Sequence, residues 1–269
     1  MLKKRIIFTL LYSDGQFMLS RNFRLQRVGN LDWLERHYNF SHISFFIDEL
    51  VVLDVTRKKR DFYSFCETLR HLSRGCFMPI AVGGGIRNLD QARELLRSGA
   101  DKIVVNTPVF DHPEFVSQLV SEFGQQCVVA SLDLKKNSEG TYQICVDSGS
   151  RMLEDSASKW IKQILKQSVG ELYLNSIDRD GTGQGYDFSI LDQLPSNLPV
   201  PVVLAGGAGN AQHLATGIAD CRVDAVATAH LFNFIGDGLE KARKELIASG
   251  IELPLWISPI NDQQMILIQ

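Results

Sequence analysis

Glu171-Leu-Tyr-Leu-Asn-Ser-Ile-Asp-Arg-Asp-Gly-Thr-Gly-Gln-Gly-Tyr186 runs from an apolar segment into two aspartates, a threonine and three glycines. A short apolar run bounded by glycines reads as a strand buried on both faces, as in a parallel sheet. In α/β folds the loop after such a strand carries the chemistry, which places Asp178, Asp180 and Thr182 at the mouth of a substrate site. The head of the stretch, Glu171-Leu-Tyr-Leu174, echoes Glu49-Leu-Val-Val-Leu53. Two more pairs share that offset of about 122 residues. Val82-Gly-Gly-Gly-Ile86 pairs with Leu204-Ala-Gly-Gly-Ala-Gly209, and Ile6-Ile-Phe-Thr-Leu-Leu11 with Val128-Val-Ala-Ser-Leu-Asp133.

Working outward, eight apolar runs fall at Arg5–Leu11, Glu49–Val55, Pro79–Gly83, Lys102–Asn106, Cys127–Asp133, Glu171–Ser176, Pro201–Ala205 and Asp224–Thr228. Between them lie amphipathic segments such as Leu89–Ser98, Phe115–Phe123 and Asp155–Leu165, with helix stops at Gly99, Gly124 and Gly250. Strand–helix alternation repeated eight times is the pattern of a (β/α)8 TIM barrel. A doubly wound open sheet is the competitor, and the internal repeat decides against it, because two four-strand halves related by a pseudo-twofold close a ring. The barrel is expected to span residues 1–256, with 257–269 as a C-terminal extension.

Composition narrows the function classes. At 269 residues and 45% hydrophobic content the chain can bury a large core, and a net charge of −3 gives no sign of a nucleic-acid or anionic-membrane binder. With no apolar run of membrane length and no leader pattern, the expectation is a soluble, cytoplasmic protein. Cys66, Cys76, Cys127, Cys145 and Cys221 show no CxxC spacing and read as reduced thiols, several of them in the core. The histidines form no metal-binding motif, so neither a metal nor a cofactor is expected.

Two segments depart from the alternation. Lys135–Gly149 reads as a small hairpin over one end of the barrel. Asp14–Gly29 reads as a long loop, either a mobile lid or a plain surface excursion, with Asp14 as a turn residue before Gly15.

Glycines let a phosphate approach backbone N–H groups, and a helix N-terminus beyond them adds a favourable dipole. Gly84 and Gly85 with Asn106 and Thr107 one strand later form one such site. Gly206 and Gly207 with Ala229 form its duplicate on the opposite side of the mouth. The pair predicts a ligand with a phosphate at each end; tight βα turns are the plainer reading of either motif alone.

The residues that carry a family resemblance run in order through the chain. They are Lys4-Arg-Ile-Ile7, Asp14-Gly15, Asp48-Glu-Leu-Val-Val-Leu-Asp54, Val82-Gly-Gly-Gly-Ile86, Gly99-Ala-Asp-Lys102, Asn106-Thr107, Ser176-Ile-Asp-Arg-Asp-Gly-Thr182 and Gly206-Gly-Ala-Gly209. To about Trp256 the chain resembles the cyclase subunit of imidazole glycerol phosphate synthase, a barrel of the ribulose-phosphate-binding type. The resemblance implies a glutaminase partner supplying ammonia. It also implies a substrate, a bis-phosphorylated ribulosyl-imidazole-carboxamide ribotide, that yields imidazole glycerol phosphate and an aminoimidazole ribotide (AICAR) in histidine biosynthesis.

The family's chemistry rests on two aspartates at the ends of strands one and five. Asp133 matches the second; the first is replaced by Leu11, and the internal repeat sets Leu11 opposite Asp133 without any family knowledge. A leucine neither gives nor takes a proton, and losing one acid/base group typically costs about 100- to 10,000-fold. The lysine of the first loop is replaced by Leu19, Asp54 matches a supporting position, and His230 stands where the family has a small phosphate-binding residue. At the opposite end Arg5, Glu49, Lys102 and Glu171 match a salt-bridged gate for ammonia, and Asp101 matches the aspartate that meets the partner. An ordinary stability layer is the alternative for these charges.

An intact entrance with disabled chemistry at the other end resembles divergent members found with surface-polysaccharide genes. The first expectation is therefore a pseudo-cyclase relaying ammonia to a sugar amidotransferase that forms an acetamidino sugar in lipopolysaccharide (O-antigen) synthesis. The alternatives are an active cyclase of histidine biosynthesis and a non-catalytic scaffold binding a phosphorylated metabolite.

Overall fold

The computed structural model of the protein describes residues 3–38, 44–229 and 238–254. Its strands in chain order are β1 (Arg5–Ser13), β2 (Gln16–Arg21), β3 (Arg24–Gly29), β4 (Glu49–Asp54), β5 (Ile80–Gly83) and β6 (Lys102–Val105). They continue with β7 (Val128–Lys136), β8 (Tyr142–Val146), β9 (Arg151–Ser156), β10 (Glu171–Ser176), β11 (Val202–Ala205) and β12 (Ala225–Thr228). The helices are α1 (Leu31–Tyr38), α2 (Phe62–Arg74), α3 (Leu89–Arg97), α4 (Thr107–Asp111), α5 (Pro113–Phe123), α6 (Ala157–Ile164), α7 (Ala211–Ala219) and α8 (Gly238–Ala248).

Parallel pairing runs β1–β4–β5–β6–β7–β10–β11–β12 and returns from β12 to β1, so the eight strands read from the sequence close into a (β/α)8 barrel. Side chains alternate along each strand, and the inward set builds its own core from Ile7, Val51, Ala81, Val104, Val129 and Tyr173. The outward set, Ile6, Phe8, Leu50, Val52, Val128 and Leu172 among it, packs beneath the helices.

The half-barrel repeat is visible in the joints as well as the strands. Asn88 and Asn210 both cap the helix that follows, accepting from the backbone N–H of Gln91 and of His213 at 2.9 Å each. Gly84 and Gly206 both take positive φ, and a Cβ there would lie 2.2 Å from the Asp54 carbonyl oxygen and 2.7 Å from that of Ser176. Only glycine lets β5 and β11 turn across the neighbouring strand's end.

Several expectations need correction. Asp14–Gly29 is not a loop: it folds back as the β2–β3 hairpin, with β2 antiparallel to β1 through a two-residue turn at Asp14 (φ 49°) and Gly15 (φ 76°). Left-handed Asp-Gly matches the twist a tight hairpin demands. The excursion after β7 is a three-stranded meander, since β9 adds to β8, and α6 begins at Ala157 rather than Asp155. No α-helix follows β10; a 3-10 segment, Phe188–Gln193, stands there. The cysteines agree with the expectation of reduced thiols, several in the core: Cys66, Cys127 and Cys145 are buried, Cys76 half-buried and Cys221 exposed. His230 and the segment 257–269 lie outside the described residues.

Candidate functional site

The C-terminal ends of the eight strands surround a cavity of about 710 Å³. Leu11 from β1 and Asp133 from β7 both line it. Asp133 has its Oδ1 held by the Asn175 amide at 3.0 Å and its Oδ2 by the Asn106 amide at 3.3 Å. Burial pushes this carboxyl up to about 7, with the Asp180 charge adding to the rise and the Asn175 hydrogen bond opposing it. A group poised there holds or releases a proton near neutral pH, which suits general acid or base work. At Leu11 there is no second group to complete a proton relay.

Both glycine loops reach the same cavity: Gly84, Gly85, Asn106 and Thr107 on one side, Gly206, Gly207 and Ala229 on the other. The first side is already engaged by the β8–β9 turn, where the Thr107 hydroxyl donates to the Asp147 carboxylate at 3.2 Å and accepts from the Asp147 N–H at 3.1 Å. Asp54 is buried and accepts from the Thr56 N–H at 2.9 Å, with Arg60 Nε 3.4 Å from its other oxygen. Burial raises the Asp54 carboxyl above its ordinary value, against the Thr56 hydrogen bonds and the Arg60 charge.

The three polar residues after β10 divide. Asp180 lines the cavity, and its carboxylate accepts from the Ser20 hydroxyl and, at 3.0 Å, from the Phe23 N–H. It therefore latches the β2–β3 hairpin over the mouth; Asn22 adds amide hydrogen bonds of 3.0 Å to the Ile177 and Asp178 carbonyls. Asp178 and Thr182 are not part of the cavity wall. The Asp178 carboxylate accepts from Lys136 N–H at 2.9 Å, and the Thr182 hydroxyl donates to the Arg179 carbonyl at 2.8 Å, so both shape the loop.

At the other end of the barrel four charges form a closed ring. Arg5 bonds Glu49 at 2.7 Å and also Glu171, while Lys102 bonds Glu49 at 2.8 Å and Glu171 at 3.0 Å. Both glutamates are buried, and burial together with the neighbouring Glu171 raises the Glu49 carboxyl, against the pull of Lys102 and Arg5. Asp101 stands beside this end, its carboxylate accepting from the Ile80 N–H at 2.8 Å. Asp48 and Asp224 tie Ile6 and Val202 in the same way at 2.8 and 2.9 Å, so this aspartate has a structural use in its own right.

Between ring and mouth lies a pair that the sequence reading missed. The Thr9 and Tyr173 hydroxyls meet across the barrel at 3.0 Å, both residues buried and both forming part of the cavity's wall. The signal was present: Tyr173 falls where the repeat places Val51, a polar-tipped aromatic at an inward position.

Comparison with known proteins agrees with this geometry. The family described as histidine biosynthesis protein matches residues 33–236. A provisionally named imidazole glycerol phosphate synthase subunit hisF2 of Parasynechococcus marenigrum is 44% identical over 257 residues, covering 95% of each chain. The imidazole glycerol phosphate synthase subunits HisF of Chlorobaculum tepidum and Chlorobium limicola are each 36% identical over 256 residues, 95% of this chain and 100% of theirs.

Proposed function

We propose a function for a chain that belongs to the histidine biosynthesis protein family and is a HisF-type cyclase subunit of imidazole glycerol phosphate synthase: it takes in ammonia at the charged end of its barrel and passes it on. The carrying observation is Leu11 facing the cavity from the strand opposite Asp133, one proton-transfer group where the two-aspartate chemistry needs two. The ring of Arg5, Glu49, Lys102 and Glu171 supports the entry route. Four charges on a narrow axis bear a desolvation cost that mutual pairing offsets only in part, and ammonia passage gives them a use.

In this reading a glutaminase docks at the ring, with Asp101 at the contact, and the acceptor lies beyond the mouth on a sugar amidotransferase making an acetamidino sugar for surface polysaccharide. A second reading, the active cyclase of histidine biosynthesis, draws support from Asp133 held near neutrality and from both glycine loops opening on the cavity. A scaffold for a phosphorylated metabolite is the third.

The test reconstitutes the chain with its glutaminase and the sugar amidotransferase and follows glutamine-dependent against ammonium-dependent amidation. Lys102→Ala is expected to lower the glutamine-dependent rate and spare the ammonium-dependent one. Unchanged glutamine-dependent product formation argues for the scaffold.

A further inference from the structure

The two glycine loops are twofold-related, but the charges around them match only in part: Arg179, the repeat's counterpart of Arg57, lies against Gly207 and is not part of the cavity wall. Arg24 on β3, Arg57 and Arg60 between β4 and α2, and Arg87 between β5 and α3 all line the cavity. The carboxylates Asp133 and Asp180 line the rest of the wall, while Asp54 and Asp147, the latter bonded to Thr107, stand on the side of the Gly84–Gly85 loop. Asp147 is already paired with Arg151 at 3.0 Å, and Asp180 with the hairpin.

The arginines on their side are short of partners. Arg57 donates to the Phe23 carbonyl and Arg87 to the Ile86 carbonyl at 3.3 Å, neither to a carboxylate. Arg60 Nε is buried without a hydrogen bond, 3.4 Å from Asp54. A Cβ on Gly85 would lie 2.7 Å from that nitrogen, so the Arg60 guanidinium lies against the glycine loop itself. Like charges gathered at one rim repel unless an anion joins them, and guanidinium forks bind phosphoryl oxygens in pairs. A single phosphate ester is already served by the backbone N–H groups of one glycine loop. Several further cations call for further negative charge.

We propose that the β4–β5 half of the mouth is built for a diphosphate group, held between the Gly84–Gly85 loop and the guanidinia of Arg57 and Arg60, while the Gly206–Gly207 half takes at most one phosphate. The inference rests on the reading of this mouth as a phosphometabolite site and names the class of ligand for it: a diphosphate ester.

Calorimetric titration of the full chain with inorganic pyrophosphate and with orthophosphate, at fixed ionic strength, tests it. Pyrophosphate is expected to bind about tenfold or more tightly than orthophosphate. The double variant Arg57→Gln, Arg60→Gln is expected to lose that preference while keeping a native circular-dichroism spectrum, and Arg222→Gln at the distant surface to retain it. Equal affinity for both anions, or a preference that survives the double variant, overturns the diphosphate site and leaves the phosphometabolite reading standing. Binding of neither anion overturns both.

Discussion

Asp133 is a carboxyl whose surroundings set its proton affinity more than its own chemistry does. Its folded value of about 7 lies above the ordinary 3.8, so between those limits the native chain holds a proton that the unfolded chain has lost. Stability from this group is then fully present below about pH 4 and is lost as pH rises through about 7. Asp133→Asn removes the titration: it should stabilise the protein at about pH 8 by on the order of 2–4 kcal/mol, with the gain shrinking toward zero near pH 4. Urea unfolding at a series of pH values checks this, and a pH-independent difference would show that the carboxyl is not perturbed. The Thr9–Tyr173 pair makes a second residue-scale test. In a cycle of Tyr173→Phe and Thr9→Val, the coupling should be about 1 kcal/mol, since one buried hydroxyl is left without its partner in each single variant. The Leu11–Asp133 opposition was legible from the repeat alone. For the hydroxyl pair the repeat marks Tyr173 as an inward polar tip but not its partner, because contact across a barrel depends on the placement of β1 against β10, which no local pattern records.

Among elements, the β2–β3 hairpin is held to β1 by an antiparallel ladder and to the β10 loop by the Asp180 and Asn22 contacts. Gly181 has φ +66°, and a Cβ there would sit 1.9 Å from the Ser20 carbonyl oxygen. Gly181→Ala should therefore lift the hairpin from the β10 loop without unfolding the barrel, seen as faster amide exchange across residues 16–29. Unchanged protection there would mean the latch is not what holds the hairpin. The eight barrel strands were readable because each is an apolar run bounded by turn residues. The hairpin is not legible although Asp14-Gly15 is a two-residue turn signal, because β2 buries the adjacent Phe17 and Met18 across a register shift and β3 buries no residue, so neither strand alternates. In β9, Arg151 and Met152 are exposed and Leu153 buried, too weak a pattern to stand out. The helix expected after β10 is a short 3-10 segment whose Asp187 caps its own turn.

For the whole molecule, the charged ring and the mouth sit at opposite ends of one apolar interior, and each can be perturbed alone. Lys102→Met leaves two buried glutamates sharing Arg5 and should cost about 3–5 kcal/mol in denaturant unfolding, much of it regained when Glu49→Gln is added. A cost confined to a few tenths would mean the ring is well solvated. At the other end, the proposed relay turns on Leu11 standing where a second acid would let the barrel use ammonia rather than pass it on. The most direct measurement is steady-state turnover of the bis-phosphorylated ribotide with ammonium salt, comparing the wild type with Leu11→Asp. The wild type should run about 100- to 10,000-fold below a working synthase, and Leu11→Asp should recover part of that loss. Wild-type turnover at the rate of a working synthase, unimproved by the aspartate, would contradict the account.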